Sequence, residues 1–140
     1  MTKRILTLLL IVTFSACKKN DHQKSPCSVG ICSAVFASIN IQYIDKNGAG
    51  VVVTNYSVRN MRTGLAIKAG ADNDVGAGFP GLKVVANDGN LKEFSSDGDE
   101  VQVSATDPAT HQTKTVTFKI SGGCTCHVGK ISGPNVVTFD

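Results

Sequence analysis

Short segments in which apolar and polar residues alternate recur along the chain after residue 32. The first places one set of side chains on one face of an extended strand, namely Val35, Ala37, Ile39, Ile41 and Tyr43. Because successive side chains of a strand point to opposite sides, this spacing predicts a strand that starts at Ser33 and buries one face. Asp45-Lys46-Asn47-Gly48 then predicts a tight hairpin turn, and the return strand runs through Val51–Val58.

Five later segments have the same character: Leu65–Ile67, Leu82–Val85, Val101–Ala105, Thr113–Ile120 and Val136–Phe139. Turn residues separate them, and no stretch of the domain has a helical period. About seven short strands with these spacings predict an all-β, antiparallel sandwich. The strand at Ser33, its turn and its valine-rich return also resemble the opening of immunoglobulin-like domains of bacterial surface proteins. The resemblance implies an immunoglobulin-like β-sandwich over residues 27–140.

The N-terminus has the order of a secretory signal peptide. Lys3 and Arg4 precede an apolar run, Ile5–Phe14, which is far shorter than the roughly 20 residues that cross a bilayer as a helix. Phe14-Ser15-Ala16-Cys17 resembles the lipobox of bacterial lipoproteins. The resemblance implies that residues 1–16 are removed and that Cys17 carries a diacylglyceryl group and an N-acyl chain. The polar residues 17–26 then form a lipid-anchored tether, because they lack the apolar side chains needed for folding.

Cleavage changes the charge of the chain. It removes two of the 14 basic residues and none of the 11 acidic ones, which leaves 12 − 11 = +1. A nearly neutral chain without a basic patch argues against nucleic-acid binding. Lys18, at the second mature position, does not resemble the aspartate retention signal of inner-membrane lipoproteins. We therefore expect the protein to be located in the bacterial cell envelope, with its anchor in the outer membrane and its domain facing the periplasm or the cell surface.

Four cysteines remain after Cys17: Cys27, Cys32, Cys124 and Cys126. An even number in an exported chain indicates two disulfides, and four cysteines allow three pairings. Residues two apart on a strand lie at the limit of disulfide reach, so a bond within Cys124-Thr125-Cys126 is unfavourable. We predict two long-range bridges between the Cys27/Cys32 and Cys124/Cys126 segments. A metal site formed by Cys124, Cys126 and His127 is the alternative, although these spacings do not match those of zinc fingers or haem attachment.

No motif predicts catalysis or a cofactor. Gly76-Ala77-Gly78-Phe79-Pro80-Gly81 fits a dinucleotide fingerprint in letters only, because no helix follows it. His111 and Asp107 share a turn and serines are frequent, but a catalytic triad requires a convergence in space that this spacing does not suggest. We expect a non-enzymatic binding or structural module that meets an envelope protein or a glycan, or that serves as a subunit of a larger surface complex. The candidate binding-loop residues are Asp72, Asp74, Phe79, Asp97, Asp99 and Glu100. The acidic groups at 72–74 and 97–100 have oxygen ligands that suit a structural Ca²⁺, which is an alternative to plain turn chemistry.

Overall fold

The computed structural model describes residues 31–69 and 78–140, which form two β-sheets. Seven strands occur in this part of the chain: β1 Ser38–Ile44, β2 Thr54–Asn60, β3 Leu82–Asn87, β4 Asp99–Thr106, β5 Thr113–Ser121, β6 Gly129–Ser132 and β7 Val136–Thr138. A 3₁₀ helix, η1, covers Asp88–Glu93 between β3 and β4. The prediction of an all-β fold is confirmed.

The strands divide into a three-stranded sheet of order β3-β1-β7 and a four-stranded sheet of order β2-β4-β5-β6. The pairs are antiparallel, except that β7 runs parallel to β1. Only β4, β5 and β6 follow one another within one sheet. The other connections cross between the sheets, which makes the core a product of contacts that are distant in sequence.

Alternating side chains of both sheets meet in the core. Ile39, Ile41 and Tyr43 of β1 are buried, and so are the inward residues of β4 and β5, namely Val101, Val103, Ala105, Phe118 and Ile120. Each valine, isoleucine or phenylalanine side chain among them contributes about 1.5–3 kcal/mol when it leaves water. This shared face, rather than any turn, holds the two sheets together.

An aromatic group fills one part of the core. The Tyr43 ring packs edge-on against Tyr56, with centroids 6.2 Å apart, and stacks on Phe139 at 5.8 Å. Tyr56 donates its hydroxyl to the Val84 carbonyl at 3.1 Å. The buried Tyr43 hydroxyl has no hydrogen-bond partner within residues 31–69 and 78–140. Burial raises the pKa of both tyrosines, so both hydroxyls stay protonated.

The structure corrects several sequence-based expectations about the strands. The first strand begins at Ser38 rather than Ser33, and Val35 is exposed. The turn at Asp45–Gly48 forms, but the chain pairs back onto β1 only at Gly50 and Val51 before it leaves for the other sheet. Leu65–Ile67 makes a single bridge to β2 instead of a strand. Neither β6 nor η1 was predicted from the sequence.

The sandwich has two distinct ends. We call the end formed by residues 31–37, 88–95 and 122–128 the near end, because hydrogen bonds join Asp88 to Ala37 and Gly123 to Leu91 there. The far end is formed by residues 45–52, 78–81 and 107–110, where Gly81 accepts a bond from the Tyr43 N–H. The seven residues of β1 lead from one end to the other, a distance of roughly 20 Å at about 3.4 Å per residue.

Candidate functional site

A disulfide fastens the N-terminal segment to the loop between β5 and β6 at the near end. Cys32 is bonded to Cys126 across 94 positions of sequence, with their Cα atoms 5.4 Å apart. This bridge is of the long-range type that the sequence predicts. Cys124 is also disulfide-bonded, whereas Cys27 and the lipidation residue Cys17 lie outside the described residues.

Three polar side chains form a hydrogen-bonded chain directly beside the bridge. Ser33 follows Cys32, His127 follows Cys126, and Asp88 begins η1. The Ser33 Oγ lies 3.0 Å from Nε2 of His127, and Nδ1 of the same ring lies 2.7 Å from the Asp88 Oδ2. The order is thus hydroxyl, imidazole, carboxylate. The serine is exposed, while the side chains of His127 and Asp88 retain 27% and 15% of their exposure.

Asp88 determines which tautomer the neutral His127 ring adopts. Partial burial alone would raise the pKa of Asp88, but bonds from the Ala37 N–H, the His127 ring and the Val128 N–H outweigh it and hold that pKa below its ordinary value. The carboxylate can therefore only accept, so Nδ1 carries the proton. In the neutral ring Nε2 is then an acceptor, and the Ser33 hydroxyl donates to it.

A second polar network at the near end surrounds Asp99. Its carboxylate accepts bonds from Arg62 Nε at 2.7 Å, from Ser95 Oγ at 2.6 Å and from the buried Asn60 Nδ2 at 2.8 Å. The Arg62 bond is the largest cause that lowers the pKa of Asp99 well below its ordinary range, in opposition to burial. The network joins β2, β4 and the segment after η1, and it leaves no carboxylate oxygen for a ligand.

The far end carries a cleft of about 460 Å³. Its floor is apolar and consists of Val51, Val52, Pro108 and Phe139. Val52 is 66% exposed, whereas Phe139 is almost fully buried. A volume of this size lies within the range of ligand clefts, and the apolar floor is typical of them.

Three aspartates stand around this cleft: Asp45, Asp107 and Asp140. Backbone N–H groups of their own turns lower the pKa of Asp45 and Asp107, with those of Ala49 and Ala109 first among them, and the Lys114 ammonium does so for Asp140. All three are anions at neutral pH. Asp107 is only 5% exposed, Lys114 pairs with Asp140 at 3.0 Å, and Lys46 also lines the cleft. The cleft therefore combines an apolar floor with a rim of mixed charge that has a small excess of carboxylates.

No protein-family model, curated protein or solved structure matches this chain. The candidate sites consequently stand on their own geometry. No helix of the described ranges 31–69 and 78–140 is long and apolar enough to cross a bilayer.

The structure separates the sequence-predicted binding residues. Asp72 and Asp74 lie outside the described residues, and Phe79 is 64% exposed at the far end, where Pro80 closely approaches Gly50. Asp97 and Glu100 are exposed on either side of Asp99 in sequence. The expectation that Asp99 presents itself on the loop surface is wrong: Asp99 is the first residue of β4 and is buried in the network described above.

The residues of the alternative metal site, Cys124, Cys126 and His127, already have other bonding partners in the structure. Cys124 and Cys126 are held in disulfides, and both ring nitrogens of His127 have hydrogen-bond partners. No group of three or more His, Cys, Asp or Glu side chains within residues 31–69 and 78–140 is arranged to hold a metal ion. A thiolate site would require the sulfurs to be reduced.

Sequence reasoning missed the convergence of Ser33, His127 and Asp88. The three positions are separated by 39 to 94 residues, and no spacing rule connects them. One usable signal was present, since Ser33 and His127 each follow a cysteine and the predicted bridges bring those cysteines together. The Asp107 and His111 pair, in contrast, belongs to a turn in which Asp107 accepts bonds from Ala109 and Thr110.

Proposed function

We propose that this chain is a lipid-anchored lipoprotein of the bacterial envelope whose immunoglobulin-like domain binds a protein partner at its far end. The N-terminal sequence supports the anchor, because a basic start, an apolar run and the Phe14-Ser15-Ala16-Cys17 sequence occur in the order of a lipoprotein signal. Two or more acyl chains on Cys17 would hold the protein firmly to a membrane. The outer membrane is the proposed location.

Strand order supports the immunoglobulin-like assignment. In that fold one sheet has the order A-B-E-D and the other C-F-G. Here β1 and β3 fit strands B and E, and β2, β4 and β5 fit C, F and G, with β6 added beside G. The C-terminal strand β7 takes the place of A beside B. Its parallel pairing with β1 departs from the antiparallel pattern of the fold.

The observation that carries the binding proposal is the position of the cleft. The described part of the chain begins with residues 31–37 at the near end, where the Cys32–Cys126 bridge fastens this segment to the domain. The cleft lies at the opposite end, roughly 20 Å away by the length of β1. An anchored sandwich of this design presents the cleft away from the membrane, where a partner can reach it.

The chemistry of the cleft favours a protein partner over a glycan. The only aromatic residue of its floor, Phe139, is 1% exposed and offers no ring face for a sugar to stack on. An exposed Val52 beside the carboxylates of Asp45 and Asp140 suits a segment that places an apolar side chain next to a lysine or arginine. Rim charges of this kind increase the rate of encounter and select the partner.

Metabolic labelling with a fatty acid tests the anchor. We expect the wild-type protein to incorporate the label and to fractionate with membranes, and the Cys17→Ala variant to lose both properties. A Cys17→Ala protein that still carries the label would contradict lipidation at this residue.

Site-specific photo-crosslinking in intact cells tests the far-end cleft. A photoreactive residue replaces Val52 in the cleft or, as the matched control, Ile131 on β6, which is 53% exposed. We expect a defined cross-linked protein from position 52 and none from position 131. Equal cross-linking at both positions, or none at position 52, would argue against the cleft as the binding site.

A further inference from the structure

We propose that Ser33, His127 and Asp88 form a nucleophilic site that hydrolyses carboxylic esters with a small apolar acyl group. This activity goes beyond the proposed binding function and does not depend on it. It also departs from the expectation of a non-enzymatic protein, which rested on the spacing of residues along the sequence.

The geometry of the three side chains carries the proposal. Ser33 Oγ is within hydrogen-bond reach of Nε2, and Asp88 holds Nδ1 of the same ring in the tautomer that leaves Nε2 free to accept a proton. A serine becomes nucleophilic when a neutral imidazole oriented by a carboxylate removes its proton. Two backbone N–H groups, those of Ala37 and Val128, fix the Asp88 carboxylate in turn.

The Cys32–Cys126 bridge is the second element of the site. It lies one residue before Ser33 and one residue before His127, so it covalently joins the segment of the nucleophile to the segment of the base. Ser33 belongs to no strand or helix, and the bridge supplies the positioning that regular structure would otherwise give. Reduction of the bridge should therefore separate nucleophile and base.

The surroundings indicate the class of substrate. Ile31, Val35 and Phe36 flank the serine and expose 104%, 69% and 66% of their surface. Because they lie within three residues of Ser33 along the chain, we infer that an acyl group bound at the serine would contact them. The N–H of Ala34, the residue after the nucleophile, is the position that commonly helps to stabilise the oxyanion in serine hydrolases.

The reaction proceeds in two balanced steps. Ser33 Oγ forms a bond to the carbonyl carbon of the ester while its proton moves to Nε2 of His127, and the bond to the alcohol oxygen then breaks as that oxygen takes the proton. Water attacks the acyl-serine, transfers a proton to Nε2 and releases the carboxylic acid, and Ser33 regains its proton. Asp88 stabilises the imidazolium in both steps.

Two measurements on the full-length protein, purified from membranes in detergent, test the site. The first is labelling by a fluorophosphonate probe, and the second is hydrolysis of p-nitrophenyl butyrate. The variants are Ser33→Ala, His127→Gln and, as the matched control, Ser57→Ala, which alters an exposed serine of β2. Native disulfides and circular dichroism establish that each variant is folded.

We expect the wild-type protein and Ser57→Ala to be labelled and active. Ser33→Ala should lose the label, and His127→Gln should lower the hydrolysis rate by about 10²–10⁴-fold. Reduction of the disulfides should abolish labelling at Ser33. A folded wild-type protein that hydrolyses the ester no faster than the Ser33→Ala variant, or a label that persists in that variant, would overturn the proposal.

Discussion

Removal of the buried Asp99 carboxylate should destabilise the domain more than removal of an exposed carboxylate such as that of Asp97. The Asp99→Ala variant would leave the Ser95 and Asn60 donors without their acceptor in a region where the aspartate side chain is 2% exposed. A buried donor left unsatisfied costs about 1–3 kcal/mol. Two such donors, with partial relaxation, predict a loss of about 3 kcal/mol in the free energy of unfolding and a Tm lower by roughly 10 °C.

Chemical and thermal unfolding followed by circular dichroism measure this loss, with Asp97→Ala as the control because Asp97 is exposed two residues earlier. The effect should also depend on pH. The pKa of Asp99 is lowered in the folded state, so its contribution is complete above the unfolded value of about 4 and is lost progressively as the pH falls from there through the lower pKa of the folded protein. An Asp99→Ala protein as stable as Asp97→Ala at pH 7 would refute this account of the network.

Three further predictions concern stability. Tyr43→Phe should leave stability unchanged or raise it by about 1 kcal/mol, because its hydroxyl is buried without a partner in the described residues, whereas Tyr56→Phe should lower it by about 1 kcal/mol through loss of the bond to Val84; equal losses in thermal melts would count against this. Gly81→Ala should cost more than Gly48→Ala in urea unfolding. Both glycines have positive φ angles, of 80° and 84°, but only at position 81 would a Cβ overlap the Tyr43 carbonyl. Reduction of all disulfides should lower the free energy of unfolding by about 2–5 kcal/mol, since the Cys32–Cys126 bridge closes a loop of 94 residues, whereas double substitution of Cys32 and Cys126 to serine should cost less because Cys124 is also held in a disulfide; an unchanged denaturation midpoint after full reduction would show that the bridges do not constrain the unfolded chain.

The sequence predicted those strands whose stability depends on a regular alternation of buried and exposed residues. The predicted segments Val101–Ala105 and Thr113–Ile120 lie inside β4 and β5. One face of β4 is buried along its length, and in β5 the same alternation buries Phe118 and Ile120. The turn at Asp45–Gly48 was also recognised from local chemistry. Its consequence was not, because the next strand pairs with β4 in the other sheet, and only packing between the sheets selects that partner.

The candidate site was less accessible to sequence reasoning. The hydrogen-bonded chain from Ser33 through His127 to Asp88 depends on the bridge between Cys32 and Cys126, which are far apart in sequence. It also depends on a 3₁₀ helix that begins at Asp88, and the pattern of apolar residues does not predict that helix. Asp99 illustrates the opposite error. Its acidic, glycine-containing neighbourhood has the composition of an exposed turn, yet the register of β4 with β5 points its side chain into a buried network.

The central claim is that the chain is acylated and that a disulfide fastens its N-terminal segment to the near end of a β-sandwich. Peptide mass mapping of the unreduced protein, purified from cell envelopes, tests this claim most directly. Trypsin cleaves after Lys24, Lys46, Lys119 and Lys130. We predict that residues 25–46 and 120–130 remain linked until a reductant is added, and that the N-terminal peptide begins at an acylated Cys17. Separate peptides with internal disulfides, or a Cys17 that carries no lipid, would contradict the account.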